Sequence, residues 1–159
     1  LTNEASTQLA RTLAVPPKSV ATHDWWGRMR CMFFDFTQGA VAGADGSTAR
    51  LFKLPAGKVR LILPLSRMHH SAFGASRVLN LGWEAYKNLA GADVLADPDG
   101  LDAAVDVSAA GNFTPAGTLG THETLLFESQ EGVVIAAEIT GGTLLAGAEL
   151  SGHLVAVQD

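Results

Sequence analysis

The chain has 159 residues, 47% of them hydrophobic and 17% charged, with a formal charge of -5 and a single cysteine, Cys31. That is enough for one domain with its own core, and a mean hydropathy of +0.19 excludes disorder as the general condition. One cysteine excludes an intrachain disulfide and a cysteine zinc cluster, and the acidic balance argues against gripping nucleic acid over the whole surface.

Residues 1–24 differ in texture from the rest. Leu9 and Leu13 are the only substantial apolar pair at helical spacing, and Val15-Pro16-Pro17-Lys18 stops any helix they start. So short a helix does not stand alone in water, so the segment reads as an arm that needs something to lie against. A frayed terminus is the alternative. The first twenty residues hold no basic region followed by a continuous apolar stretch, which predicts no secretory leader. No membrane span is expected either, because residues 59–65 contain Arg60 and Pro64 and residues 133–139 contain Glu138. The expectation is a soluble protein.

From Trp25 onward the pattern is that of strands, giving a domain over residues 25–159. Residues 28–36 alternate Met29, Cys31 and Phe33 against Arg30, Met32 and Phe34, and Cys31 reads most simply as a buried small hydrophobe. Asp45-Gly46 is a turn signal, residues 49–54 a second strand, and Pro55-Ala56-Gly57 its end. In residues 58–67, Val59, Leu61, Leu63 and Leu65 fall on one face by strict alternation, the clearest period of two in the chain. Residues 76–83 follow as a strand. Residues 84–110 read as a helical or irregular insertion, with short helical turns at 84–89 and 101–105. Residues 123–128, 132–140 and 149–157 return to strands, separated by Gly141-Gly142 and Ala146-Gly147. Short strands with glycine-rich turns predict a mainly all-β fold: an antiparallel β-sandwich or jelly-roll-like barrel with that short insertion and an extended N-terminal arm.

Motifs for chemistry are sparse. Arg67-Met68-His69-His70-Ser71 offers histidines beside a serine, but adjacent strand residues point to opposite faces, and no Gly-x-Ser-x-Gly elbow presents Ser71. The series Asp93, Asp97, Asp99, Asp102 and Asp106 suggests a calcium loop, yet Pro98 and the position of Gly100 break the pattern. A solvated acidic loop whose aspartates start turns is the simpler reading. Trp25 and Trp26, with Arg28 and Arg30 close by, suit either a stacking platform for sugars or bases or a protein contact. Following directly on the arm, they fit the protein contact better. No nucleotide, metal or cofactor fingerprint is present, so no catalytic role, cofactor or metal is expected.

Three stretches carry a family resemblance: Leu51-Phe52-Lys53-Leu54-Pro55-Ala56-Gly57-Lys58-Val59-Arg60, Ser66-Arg67-Met68-His69-His70-Ser71-Ala72-Phe73-Gly74-Ala75-Ser76-Arg77, and Leu81-Gly82-Trp83-Glu84-Ala85-Tyr86. With Asp97-Pro98-Asp99-Gly100-Leu101-Asp102, Val105-Asp106-Val107-Ser108-Ala109-Ala110-Gly111, Gly132-Val133-Val134-Ile135 and Gly141-Gly142-Thr143-Leu144-Leu145-Ala146-Gly147-Ala148-Glu149-Leu150-Ser151-Gly152, they span roughly residues 50–157. This sequence resembles the head decoration, or cement, proteins of tailed bacteriophages. The arm and Trp25-Trp26 fall outside the resemblance.

The resemblance implies a β-rich virion protein, often a homotrimer, that assembles in the host cytoplasm and sits on the capsid exterior, clamping the major capsid protein. Its partners would be that protein and copies of itself, with no nucleic acid and no membrane. Trp25, Trp26, Arg28 and Arg30 are the expected arm-proximal contacts, and Arg67, His69 and His70 a second polar contact. A neck or tail component and a carbohydrate- or receptor-binding β-sandwich are the alternatives.

Overall fold

The computed structural model describes residues 28–115 and 124–158. The arm over residues 1–24, and Trp25 and Trp26 after it, lie outside the described residues. In chain order the strands are β1 (Arg28–Thr37), β2 (Ser47–Leu54), β3 (Gly57–Ile62), β4 (Arg67–His70), β5 (Val78–Trp83), β6 (Tyr86–Lys87), β7 (Asp93–Val94), β8 (Asp97–Asp106), β9 (Gly111–Phe113), β10 (Thr124–Ser129), β11 (Val133–Thr140) and β12 (Glu149–Gln158).

Two antiparallel sheets hold nearly all of them. In the first, β1 pairs along one edge of β12, while β3 and β4 lie end to end along the other and are flanked in turn by β10 and β9. The second runs β2-β11-β5-β8, and β6 with β7 forms a separate small hairpin. Taking β3 with β4, and β9 with β10, as one strand each leaves eight strands in sheets of order 1-8-3-6 and 2-7-4-5. That is the double Greek key of a jelly roll. The all-β antiparallel expectation holds.

Side-chain alternation explains the stacking. Val59 and Leu61 of β3, Met68 of β4, Leu79 and Leu81 of β5, Ile135, Ala137 and Ile139 of β11, and Leu150 and Leu154 of β12 all turn inward and are buried together. Each such leucine contributes about 1.5–3 kcal/mol relative to exposure. At one end of the sandwich, Trp83 and Tyr86 meet the buried Phe127 edge-on at centroid distances of 5.3 and 6.0 Å.

Three local expectations need correction. Alternation predicts Leu65 on the same face as Val59, Leu61 and Leu63, yet those three are buried and Leu65 is exposed. Pro64 has no N–H to give a ladder, and the chain makes one 3-10 turn over Leu63–Leu65 that breaks the period of two. Ser66 repairs the gap, because its Oγ accepts the Val155 N–H and donates to the Ile62 carbonyl, both at 3.0 Å.

The helical turns within residues 84–110 are absent. Residues 101–105 belong to β8, where the uncovered edge of β5 offers hydrogen bonds and burial for Leu101 that outweigh weak helical propensity. The strand is irregular nonetheless, with register shifts at Leu79/Leu81 and Leu81/Trp83. Ala104 takes a φ of 54°, and its N–H is held by Asn80 Oδ1 at 2.9 Å. Finally, Cys31 is exposed and not buried. The sandwich buries the Met32-Phe34-Phe36 side of β1, so the odd-numbered side faces out.

Candidate interaction surface

Strand parity decides what the first sheet shows to its surroundings. Directly opposed residues of an antiparallel pair share a face, so Met29, Cys31, Phe33 and Asp35 of β1 share the outer face with Val157, Val155, His153 and Ser151 of β12. From β4, Arg67 stands opposite His153 and His69 opposite Ser151 on that same face. Some of the apolar side chains here are open, with Phe33 77% exposed, Met29 63% and Leu65 of the adjoining turn 52%, whereas Val155 is buried. The Phe33 and His153 rings lie 5.7 Å apart, and His153 Nε2 is 3.3 Å from the Leu65 carbonyl oxygen. The outer face is thus a small apolar strip with Arg67, His69 and His153 beside it. Arg28 and Arg30 stand exposed at the start of β1, while Asp35 stands near its end.

His70 does not join this surface. The residue is only 3% exposed, between Phe73 and Phe113 at centroid distances of 6.0 Å each, with Nδ1 3.0 Å from the Ser71 carbonyl oxygen. Alternation on β4 sends Arg67 and His69 outward and Met68 and His70 inward. Ser71 Oγ accepts the Glu149 N–H at 2.9 Å, bracing the start of β12. The two histidines and the serine therefore form no base-nucleophile pair on one face. Of the residues expected at a second polar contact, Arg67 and His69 face outward, whereas His70 is a core histidine beneath them.

The second sheet presents a different outer face. A cleft of about 350 Å³ lies between β2, β11 and the start of β8, lined by Arg50, Trp83, Glu84, Pro98, Ala136 and Glu138 among others. Arg50 Nε lies 2.5 Å from Glu84 Oε1 across its rim. The strap Asp97-Pro98 crosses Gly82 so closely that a Cβ there would sit 1.9 Å from the Asp97 carbonyl oxygen. Only glycine fits.

The acidic series is dispersed along this side. Asp93 pairs with Lys87 at 2.6 Å, Asp102 accepts the Ala103 N–H, and Asp106 accepts the Ser108 N–H, the latter two at 2.9 Å. Those bonds from Ser108, with a smaller contribution from His70, hold the Asp106 carboxyl below its ordinary range. Desolvation, then the neighbouring Asp99, pushes the Asp97 carboxyl up. Among the described residues, no group of three or more His, Cys, Asp or Glu side chains is placed to hold a metal ion. No helix among them is long and apolar enough to cross a membrane.

The sequence singles out Arg67 and His69, which are exposed here, but not the apolar strip beside them. The signal was present in the alternation of Met29, Cys31 and Phe33; which side of β1 faces the core was not.

No protein-family model and no curated protein matches this sequence. The fold is similar to a chain of the cyanophage Pam1 capsid asymmetric unit, with a TM-score of 0.51 and 11% identity over 89% of this chain and 92% of that one. Two structures of infectious bursal disease virus, strains Gt and Gx, align with TM-scores of 0.47 and 0.44, each at 12% identity and over 82% and 81% of this chain. Only 32% of each of those chains is covered.

Proposed function

We propose that this protein is a virion structural protein, a decoration or cement protein that binds the outer surface of a major capsid protein lattice and stabilises the head. The observation that carries this reading is the likeness in fold to a chain of a cyanophage capsid, which aligns over 89% of this chain and 92% of that one. The outer face of the first sheet supports it, because exposed apolar residues flanked by Arg67 and His69 are what a protein contact needs. No side-chain pair described above supplies a nucleophile and its base on one face, and the reading is non-enzymatic.

The mechanism is multivalent reinforcement. Each subunit makes modest contacts to capsid protein through Arg67 and His69, and the arm with Trp25, Trp26, Arg28 and Arg30 reaches a neighbouring chain. A symmetric oligomer, a homotrimer in the family it resembles, then adds those contacts as a gain in effective concentration. The test is copy number in purified virions. A ratio near one to one with the major capsid protein supports the decoration role. A handful of copies per particle moves the protein to the neck or tail, and its absence from the particle overturns the reading.

A further inference from the structure

We infer that the cleft on the outer face of the second sheet is a binding site for one neutral hexopyranose unit of a glycan. Its volume of about 350 Å³ falls in the range of small-ligand pockets. Strand parity builds it. Ile135, Ala137 and Ile139 of β11 turn into the core, so Ala136 and Glu138 turn outward. Ala136 stands between Arg50 of β2 and Gly82 of β5, and Glu138 between Thr48 and Asn80. One row across the sheet is therefore a floor with nothing larger than a methyl between Arg50 and the strap, and the row beside it is polar. Ala96 and Pro98, on either side of Asp97, form the wall.

The donors and acceptors select the occupant. Among the described residues Glu138 accepts only a long bond from Asn80 Nδ2, at 3.5 Å, so its carboxylate has acceptor capacity left. Arg50 gives Nε to Glu84 and carries further N–H groups on its terminal nitrogens. Trp83 lines the cleft as well, and its indole N–H is buried with no hydrogen-bond partner among the described residues. The indole is held in place: Phe127 meets it edge-on at 5.3 Å, and its six-membered ring fills the space a Cβ would need at Gly100. Buried donors in folded chains are almost always paired, so an unpaired one beside a cleft points to an acceptor from outside.

A ligand that suits this set must donate to Glu138, accept from Trp83 and Arg50, and lay an apolar face on Ala136 and Pro98. A pyranose ring does all three, because each hydroxyl both donates and accepts and the C–H face of the ring is apolar. A lone ammonium or guanidinium group would satisfy Glu138 and leave the Trp83 N–H as it was. An anion would meet Glu84 and Glu138 at close quarters.

This site goes beyond the capsid role and is compatible with it. The two outer faces of a sandwich look in opposite directions, so a chain held on a shell through its first sheet turns this cleft toward the surroundings. There, repetition over the shell raises a weak single-site affinity.

The experiment uses the isotopically labelled full chain and follows the indole N–H resonance of Trp83, assigned by its loss in Trp83→Phe. Binding at Trp25 or Trp26 is thereby told apart. The probes are the methyl glycosides of glucose, galactose, mannose, N-acetylglucosamine and rhamnose, with n-butylammonium chloride as the cationic counterpart. At least one glycoside should shift the Trp83 resonance saturably. Glu138→Gln, which keeps the shape and removes the charge, should weaken binding of that glycoside about tenfold. Ala136→Leu, which fills the floor, should abolish the shift; should it lose its strand circular dichroism, Glu138→Gln carries the test. A Trp83 resonance that no glycoside moves overturns the inference, as does a shift that survives Glu138→Gln undiminished. A response to n-butylammonium alone assigns the cleft to a basic side chain and overturns it too. Each of these failures is distinguishable from failure of the capsid reading, which copy number in virions decides.

Discussion

The outward faces of the two sheets are built from the same kind of strand and end up chemically opposite. On the first, Met29, Phe33 and Leu65 stand open beside Arg67, His69 and His153. On the second, the strap at Asp97-Pro98 closes over Gly82, and Arg50 with Glu84 guards the cleft beside it. The second sheet is covered in part by its own chain; on the first, Met29 and Phe33 stay open among the described residues. A net charge of -5 conceals this division, because Glu84, Glu138, Asp97 and Asp99 gather on the strap side. The lesson is that a face finished by its own loop leaves little apolar surface open, whereas an exposed apolar strip is the kind of surface that marks an interaction site.

The strap offers the sharpest break in that comparison. Gly82→Ala drives a Cβ into the Asp97 carbonyl, so β8 must move off the outer face. A loss of about 3 kcal/mol is expected in chemical denaturation. Beneath the first face the expected effect is smaller. Ser66→Ala leaves the Val155 N–H without its acceptor behind a buried turn, and about 1–3 kcal/mol should be lost in the same assay. Phe33→Asp, by contrast, should change stability by no more than about 0.5 kcal/mol, since the residue is 77% exposed. A large stability loss there would mean that the strip is part of the monomer's own packing.

The smallest effects are those of pH, and their signs differ between two carboxyls of β8. Asp97, raised by burial and Asp99, favours the fold when protonated. Its contribution is present below the ordinary carboxylate value and is lost as pH rises through the raised one. Asp97→Asn should therefore gain melting temperature relative to the parent as pH climbs above about 4, then level off. Asp106, lowered chiefly by its bonds from Ser108, works in the opposite sense: its contribution is present above the ordinary value and is lost as pH falls through the lowered one. Asp106→Asn should be less stable than the parent at neutral pH, with the difference shrinking in acid. Melting curves across the acid range check both.

Much of the fold was legible along the chain, and particular residues show where legibility stopped. Val59 and Leu61 share one face, as their alternation predicts, because the period of two is local. Leu65 was not, because Pro64 turns the chain and the period does not survive a turn. The opposition of His69 and His70 was readable from adjacency alone, yet which of them faces inward was not. Residues 101–105 have helical spacing and weak strand propensity, and they joined β8 because β5 needed an edge partner far along the chain.

By itself, then, the sequence determined the class of fold, the placement of β1, β2, β3, β5, β10, β11 and β12, and the absence of cysteine cross-links within one chain. Those properties depend on composition and short-range alternation, which each segment carries with it. Tertiary structure alone decided which side of each strand is inside, because inward and outward are relations between strands. Pairing β1 with β12 is what turned Met29, Cys31 and Phe33 outward.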